Sequence, residues 1–254
     1  MDTPTVTSSY FRSTGSSWLL SLTTADFTVA GNLLLVGVGY RSNDANVSSV
    51  VFNTNENLTR LSLQESDTAE VCTEWWYLKN PTKTTGDVVI TFGDYERCAA
   101  CIIDISGADV SGTTFGTPAK WGGIVTSPAS SVAPITVADQ LVIDCLTKKA
   151  TDDSDGVLVQ GAGQTLLGTS RSDSSTDSNN VYLGASTELA TTTSTTMSWT
   201  WTSGNRYTAH IAFGINGAGG GPPKVKTING KAIASVKTIN GKAIASVKSV
   251  QGLT

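Results

Sequence analysis

The chain has 254 residues, 25 of them glycine, only 15% charged, with Ser and Thr clusters throughout; this is long enough for a sizeable core and suits an all-β protein with many turns. Residues 1–220 hold 11 basic and 21 acidic side chains, a net of −10, while residues 221–254 hold six lysines and no acid. No apolar run approaches the ~20 residues a membrane span needs, and MDTPTVTSSY has neither a basic nor an apolar signal region, so neither a membrane partner nor a secretory leader is expected.

The first strong element is Leu33-Leu34-Leu35-Val36-Gly37-Val38, which reads as a strand apolar on both faces. Glu70–Leu78 follows, with Trp75-Trp76-Tyr77 as the most aromatic stretch. On a strand Trp75 and Tyr77 face one way and Trp76 the other; one face is core, and the other is a candidate sugar-stacking platform or subunit contact. Gly86–Ala108 reads as an alternating strand, a turn and a buried strand. It contains Cys98-Ala-Ala-Cys101, whose thiols point to opposite faces if ERCAACIIDI is a strand, so no metal site is expected there. Small buried thiols are the better reading of Cys72, Cys98, Cys101 and Cys145, with a disulfide left open.

After a Gly/Ser/Pro-containing connection at Val110–Pro134 the pattern repeats. TVAGNLLLVGV (Thr28–Val38) aligns with TVADQLVIDCL (Thr136–Leu146). ENLTRL aligns with GQTLLG, EVCTEWWYL weakly with NNVYLGAS, and Gly86–Ala108 with Thr195–Ala218, all near a spacing of 108 to 110 residues. Two related halves, about 1–110 and 111–217, follow, each of about five strands. Each has an apolar face to cover, and the other half is the available cover, so the expected body is an antiparallel, jelly-roll-like β-sandwich over 1–217.

Other candidates for chemistry are few. His210 falls where the first half has Cys101 and reads as a packed strand residue rather than a base. Any Ser-His mechanism would run through this only histidine, and no G-x-S-x-G elbow accompanies it. Asp152-Asp153-Ser154-Asp155-Gly156 has part of a calcium-loop spacing without its bidentate Glu and reads as a solvated turn; Asp173 and Asp177 sit in a polar loop. Trp199 and Trp201 share one face of a half-buried strand. No cofactor or catalytic residue is assigned.

Residues 218–223 form a Gly/Pro linker, and 224–254 a basic tail in which the eleven residues Lys226–Val236 recur letter for letter at Lys237–Val247. Asn229-Gly230 and Asn240-Gly241 favour two-residue type I′ turns. The β-branched residues favour strands over an eleven-residue helical pattern through Ile233, Val236, Ile239, Ile244 and Val247. A ribbon of two or three strands is marginal alone and its edges invite pairing, so the tail reads as a docking or oligomerisation arm. Its anchoring residues are Lys226, Ile228, Asn229, Gly230, Ile233, Val236, Lys237, Ile239, Asn240, Gly241, Ile244 and Val247. No aromatic interleaves with the lysines, so a nucleic-acid partner is not expected.

The body pattern GNLLLVGVGYRS…EWWYLKNP…CIIDISGAD…TMSWTWTSGNRYTAHIAFGI resembles jelly-roll proteins of tailed-phage virions and bacterial surfaces, and VKTINGKAIASVKTINGKAIASVKSVQGL resembles the C-terminal repeats that close such phage structural proteins. Lys231 and Lys242 depart from that pattern, where apolar residues are more usual. The resemblance implies a non-enzymatic structural protein located in the virion, as capsid decoration, head fibre or tail accessory, with other virion proteins or copies of itself as partners. The alternative is a carbohydrate-binding adhesin that holds a host-surface glycan on Trp75 or Trp76; a glycan hydrolase would need a carboxylate pair that nothing singles out.

Overall fold

In a computed structural model the protein is described over residues 3–15, 17–41, 46–82, 84–125, 129–150, 157–172, 180–202 and 206–218, and over four dipeptides beyond them. Met1–Gly219 form one compact unit and Gly220–Thr254 a second.

The first unit is built of antiparallel β-strands, with a short 3-10 turn at Asp67–Ala69. Its N-terminal half runs β1 (Thr5–Ser13), β2 (Leu19–Thr23), β3 (Phe27–Thr28), β4 (Leu33–Arg41), β5 (Val47–Phe52), β6 (Glu56–Asn57), β7 (Thr59–Glu65), β8 (Val71–Lys79), β9 (Thr85–Gly86), β10 (Val88–Glu96) and β11 (Cys98–Ser106). Its C-terminal half runs β12 (Ala119–Val125), β13 (Ala129–Val132), β14 (Leu141–Ala150), β15 (Val159–Gln160), β16 (Thr165–Arg171), β17 (Asn180–Leu189), β18 (Met197–Thr200) and β19 (Arg206–Ile215).

The two halves share one topology. A five-stranded sheet β1-β11-β4-β8-β7 matches β12-β19-β14-β17-β16, and the core of a smaller sheet, β2-β10-β5-β6, matches β13-β18-β15. In each half the chain passes repeatedly between the large and the small sheet, as a jelly roll wraps. The duplicated segments of the sequence fall on matching strands: Thr28–Val38 leads into β4 and Thr136–Leu146 into β14.

Each half is a sandwich with its own core. In the N-terminal half Leu22, Val50, Phe52, Ile90 and Phe92 of the small sheet pack on Val36, Val38, Tyr40, Trp76 and Ile102 of the large one. In the C-terminal half Val132, Met197 and Trp199 meet Val142, Leu146 and Ala212. A further core lies between the two large sheets, where Leu35, Trp75, Cys101 and Ile103 meet Ile143, Cys145, Leu183, Ile211 and Phe213. The halves do cover each other, but with their large sheets only, so the order is small, large, large, small. This explains β4, where all nine residues are buried: Leu33 and Leu35 face the other half, and Leu34, Val36, Val38 and Tyr40 face the small sheet. Several of the additional strands have only two to four residues, which is why turn spacing alone gave about five.

In the second unit β20 (Thr227–Ile228) pairs with β21 (Lys231–Ala232), and β22 (Thr238–Ile239) with β23 (Lys242–Ala243). Ile228 opposes Lys231 and Ile239 opposes Lys242, so each ladder leaves two residues between its strands, Asn229-Gly230 and Asn240-Gly241. This is the spacing of a two-residue hairpin, not of a helix.

Candidate functional site

Two of the buried carboxyl groups, Asp144 and Glu74, hold hydrogen-bond networks inside the sandwiches. Asp144 sits in the apolar strand β14, among LVIDCL, and its side chain points into the C-terminal half's own core. Oδ1 accepts from the Ser186 amide at 2.9 Å and the Ser186 hydroxyl at 2.7 Å. Oδ2 accepts from Trp199 Nε1 at 2.7 Å and lies 2.9 Å from His210 Nε2. His210 Nδ1 is 3.2 Å from Ser130 Oγ. A carboxylate offers acceptors only, so Nε2 is the donor to Asp144, and Nδ1 is left to the Ser130 hydroxyl. Gln164 extends the chain, donating to Ser186 Oγ at 2.6 Å and accepting the Ser198 amide at 2.8 Å.

Serine, histidine and aspartate therefore stand in hydrogen-bonding order, with Ser130 on Nδ1 and Asp144 on Nε2. Asp144 and His210 are 0% exposed and Ser130 5%. Asp144 and His210 lie on the large sheet, Ser130 and Trp199 on the small one, so these bonds tie the two layers of the sandwich together. Burying a carboxyl group is tolerable only when its acceptors are filled, and four donors do that here.

The N-terminal half solves the same problem elsewhere. Glu74 on β8 accepts from Tyr40 Oη at 2.7 Å, from Trp76 Nε1 at 2.9 Å and from the Val47 amide at 3.4 Å, with Arg60 3.8 Å away. Burial raises the Glu74 carboxyl above its ordinary range, opposed by the Tyr40 bond and Arg60, and burial likewise raises the Tyr40 phenol. The carboxyls are not duplicates. Val36 is the match of Asp144 in the aligned segments, and Glu74 pairs with Val38, whose match Leu146 pairs with Gly184.

The ladders also correct the counterpart of His210. His210 pairs with Leu146 and Ala100 with Val38, so His210 matches Ala100, not Cys101. Cys101 faces the other half, whereas His210 faces its own small sheet. His210 is a packed strand residue, though with polar partners that the thiol comparison did not anticipate.

Trp75 is 0% exposed and lies between the halves, edge-on to Phe213 with ring centroids 5.5 Å apart. Trp76 is 8% exposed, in the other core. Both faces of β8 are covered, so neither ring is open to stack on a sugar. Trp199 and Trp201 are buried on one face as expected. The four cysteines are buried and unbridged, with Cys98 and Cys101 in different cores. Among the described residues no three His, Cys, Asp or Glu side chains gather as a metal would require. Asp152, Asp153, Asp155, Asp173 and Asp177 lie outside the described residues.

Of the arm positions, Ile228 and Ile239 lie on strands; Lys226, Asn229, Gly230, Ile233, Val236, Lys237, Asn240, Gly241, Ile244 and Val247 are outside the described residues. Sequence reasoning missed Asp144 and Glu74. The available signal was an acid inside a run otherwise buried on both faces. Compared with known families, with curated proteins and with solved structures, the chain matches none.

Proposed function

We propose that the protein is a non-enzymatic structural component of a tailed-phage virion, a capsid decoration, head fibre or tail accessory, whose body is displayed and whose basic repeat arm docks it to other virion proteins or to copies of itself. The observation that carries this reading is the contrast between the two units. The body spends its histidine, Asp144 and Glu74 on hydrogen bonds that reach from the large to the small sheet of each half. The arm carries repeated two-residue ladders and six lysines without an acid. Such short ladders are marginal alone in water and gain stability by pairing with another surface. The resemblance of the repeats to those of phage structural proteins supports the same reading.

Deletion of 224–254 tests it. Expected is a folded body with an unchanged melting temperature that no longer enters particles or, in isolation, loses its oligomeric state. A truncated protein that assembles like the full chain removes the anchoring role.

A further inference from the structure

Contacts between the two large sheets come in pairs that interchange when the halves are interchanged. β1 lies on β16 and β12 on β7; β11 lies on β17 and β19 on β8; β4 lies on β17 and β14 on β8; β4 and β14 lie on each other. This is the pattern of an isologous interface, in which one surface patch meets its own equivalent about a two-fold axis, here running along the strands between β4 and β14.

An interface between identical halves would place like residues together near that axis. Here unlike ones meet. Gly39 and Thr147 hold matching positions in the duplicated strands, one residue past Val38 and Leu146, and they face each other. A Cβ on residue 39 would lie 2.9 Å from Thr147 Cγ2 and 3.1 Å from Leu183 Cδ1, closer than side chains pack. Thr147 fills the space that Gly39 leaves, and its hydroxyl lies 2.7 Å from that of Thr73, which donates to the Ala209 carbonyl at 2.8 Å. The preceding matched pair, Gly37 and Cys145, differs in another way: a Cβ on residue 37 would lie 2.7 Å from Cys101 Sγ and 3.3 Å from the Trp75 ring, so its own half already fills that space. At residue 39 the N-terminal half is carved where the C-terminal half is filled. Charge is one-sided as well: Glu70 pairs with Arg41 of its own half and, at 2.9 Å, with Lys149 of the other.

We infer that this face is a self-complementary surface made one-sided by Gly39 against Thr147, so that the N-terminal half accepts the C-terminal half of its own chain and not a copy of itself. Two C-terminal faces would set Thr147 against Thr147. Two N-terminal faces would leave a void at the axis, and voids cost stability in proportion to their volume.

The intact chain tests this after a protease site replaces the exposed turn Ser111–Thr113. After cleavage, native mass spectrometry is expected to show one N-terminal and one C-terminal piece held together. Mixing light and isotopically heavy cleaved protein in mild denaturant, then diluting, is expected to give heavy–light pairs of unlike pieces only. Pieces that separate, or like pieces that pair as readily, overturn the inference. Gly39→Thr gives a second reading: overpacking lowers the melting temperature by roughly 3–10 °C. Thr147→Gly in the same chain is expected to recover at least half of that loss, although it removes the contact with Thr73. Losses that simply add would show that Gly39 and Thr147 do not determine the fit.

Discussion

Trp199 Nε1 on β18 donates to Asp144 Oδ2 on β14 at 2.7 Å, joining the small and large sheets of the C-terminal half through a carboxyl group that water does not reach. Inside a protein such a bond is worth more than its count suggests, because breaking it leaves a buried acceptor short of a donor. Trp199→Phe keeps most of the ring in place and removes only the N–H and part of the volume. Urea unfolding is expected to show a loss of about 2–4 kcal/mol, combining a bond to a buried carboxyl group with a small cavity. A loss under about 0.5 kcal/mol, the range of an ordinary surface change, would mean that the network contributes little.

Glu96, the last residue of β10, is 1% exposed, and its Oε2 has no hydrogen-bond partner among the described residues. Burial pushes its carboxyl up to about 8; Arg41 opposes the shift and Asp94 adds to it. Unfolded, the group titrates near the ordinary ~4.3. Between those values the native state holds a proton that the unfolded chain has released, so this group's contribution to stability falls as pH rises from about 5 to about 8 and levels off above. Glu74, also raised, acts in the same direction, and Glu70, lowered chiefly by its bond to Lys149, acts oppositely at acid pH. Glu96→Gln is expected to flatten the wild-type slope between pH 5 and 8 and to be the more stable protein at pH 9. Parallel curves for the two proteins would show that Glu96 is not protonated in the fold.

Asp104 closes the β3–β4 turn. It is fully buried and accepts from the amides of Ala30 and Gly31 at 2.9 Å and from Thr7 Oγ1. Gly31 has no room for a side chain, since a Cβ there would meet Asp104 Oδ1 at 2.7 Å as well as the Ile105 carbonyl. In the other half Gly214 takes the place of Asp104, and Gln140 Oε1 accepts the Val137 amide instead, at 2.9 Å. Asp104→Ala orphans the two amides, while Thr7 Oγ1 keeps the backbone carbonyl of residue 104 at 3.1 Å, and a loss of about 3 kcal/mol is expected. Val142→Ala, at the ladder partner of Gly214, removes core volume but no acceptor; amide exchange at Ala30 and Gly31 should therefore rise only in the Asp104 variant.

The thiols offer a test of the layering. Cys101 and Cys145 face each other between the halves, and burial raises the Cys145 thiol well above its ordinary value, as it raises that of Cys98. Reactivity follows the exposed thiolate. No cysteine is expected to react with an aromatic disulfide reagent in the native protein at pH 8, and all four in denaturant. Fast labelling of Cys101 and Cys145 before Cys72 and Cys98 would show that the halves part while each sandwich stays closed.

Much of the body was legible in the chain. The match of Thr28–Val38 with Thr136–Leu146 located β4 and β14, and hence the duplication, because strands buried on both faces tolerate few changes of character. The opposed faces of Cys98 and Cys101 followed from the two-residue period alone. Pairing about the two Asn-Gly steps followed from their tolerance of positive φ. The aromatic cluster at Trp75 and Trp76 misled, because a half-exposed strand is the usual case for alternating aromatics, and nothing local tells that a second half covers the other face.

Phe27 and Val29 show where the local code stops. Both are buried, at 6% and 4% exposure, while the aligned Ile135 and Val137 are 78% and 52% exposed. The same letters alternate in both segments, but a one-residue change of parity turns the opposite set inward. Asp144 and His210, 66 positions apart, likewise meet only because β14 and β19 are neighbours whose even-numbered residues face the small sheet. The amino-acid order by itself determined period, turns and repetition, since these depend on a few adjacent residues. Which face is inside, which acid meets which donor, and that two sandwiches press their large sheets together were decided by the tertiary structure, because burial is a property of what lies opposite and not of what lies next along the chain.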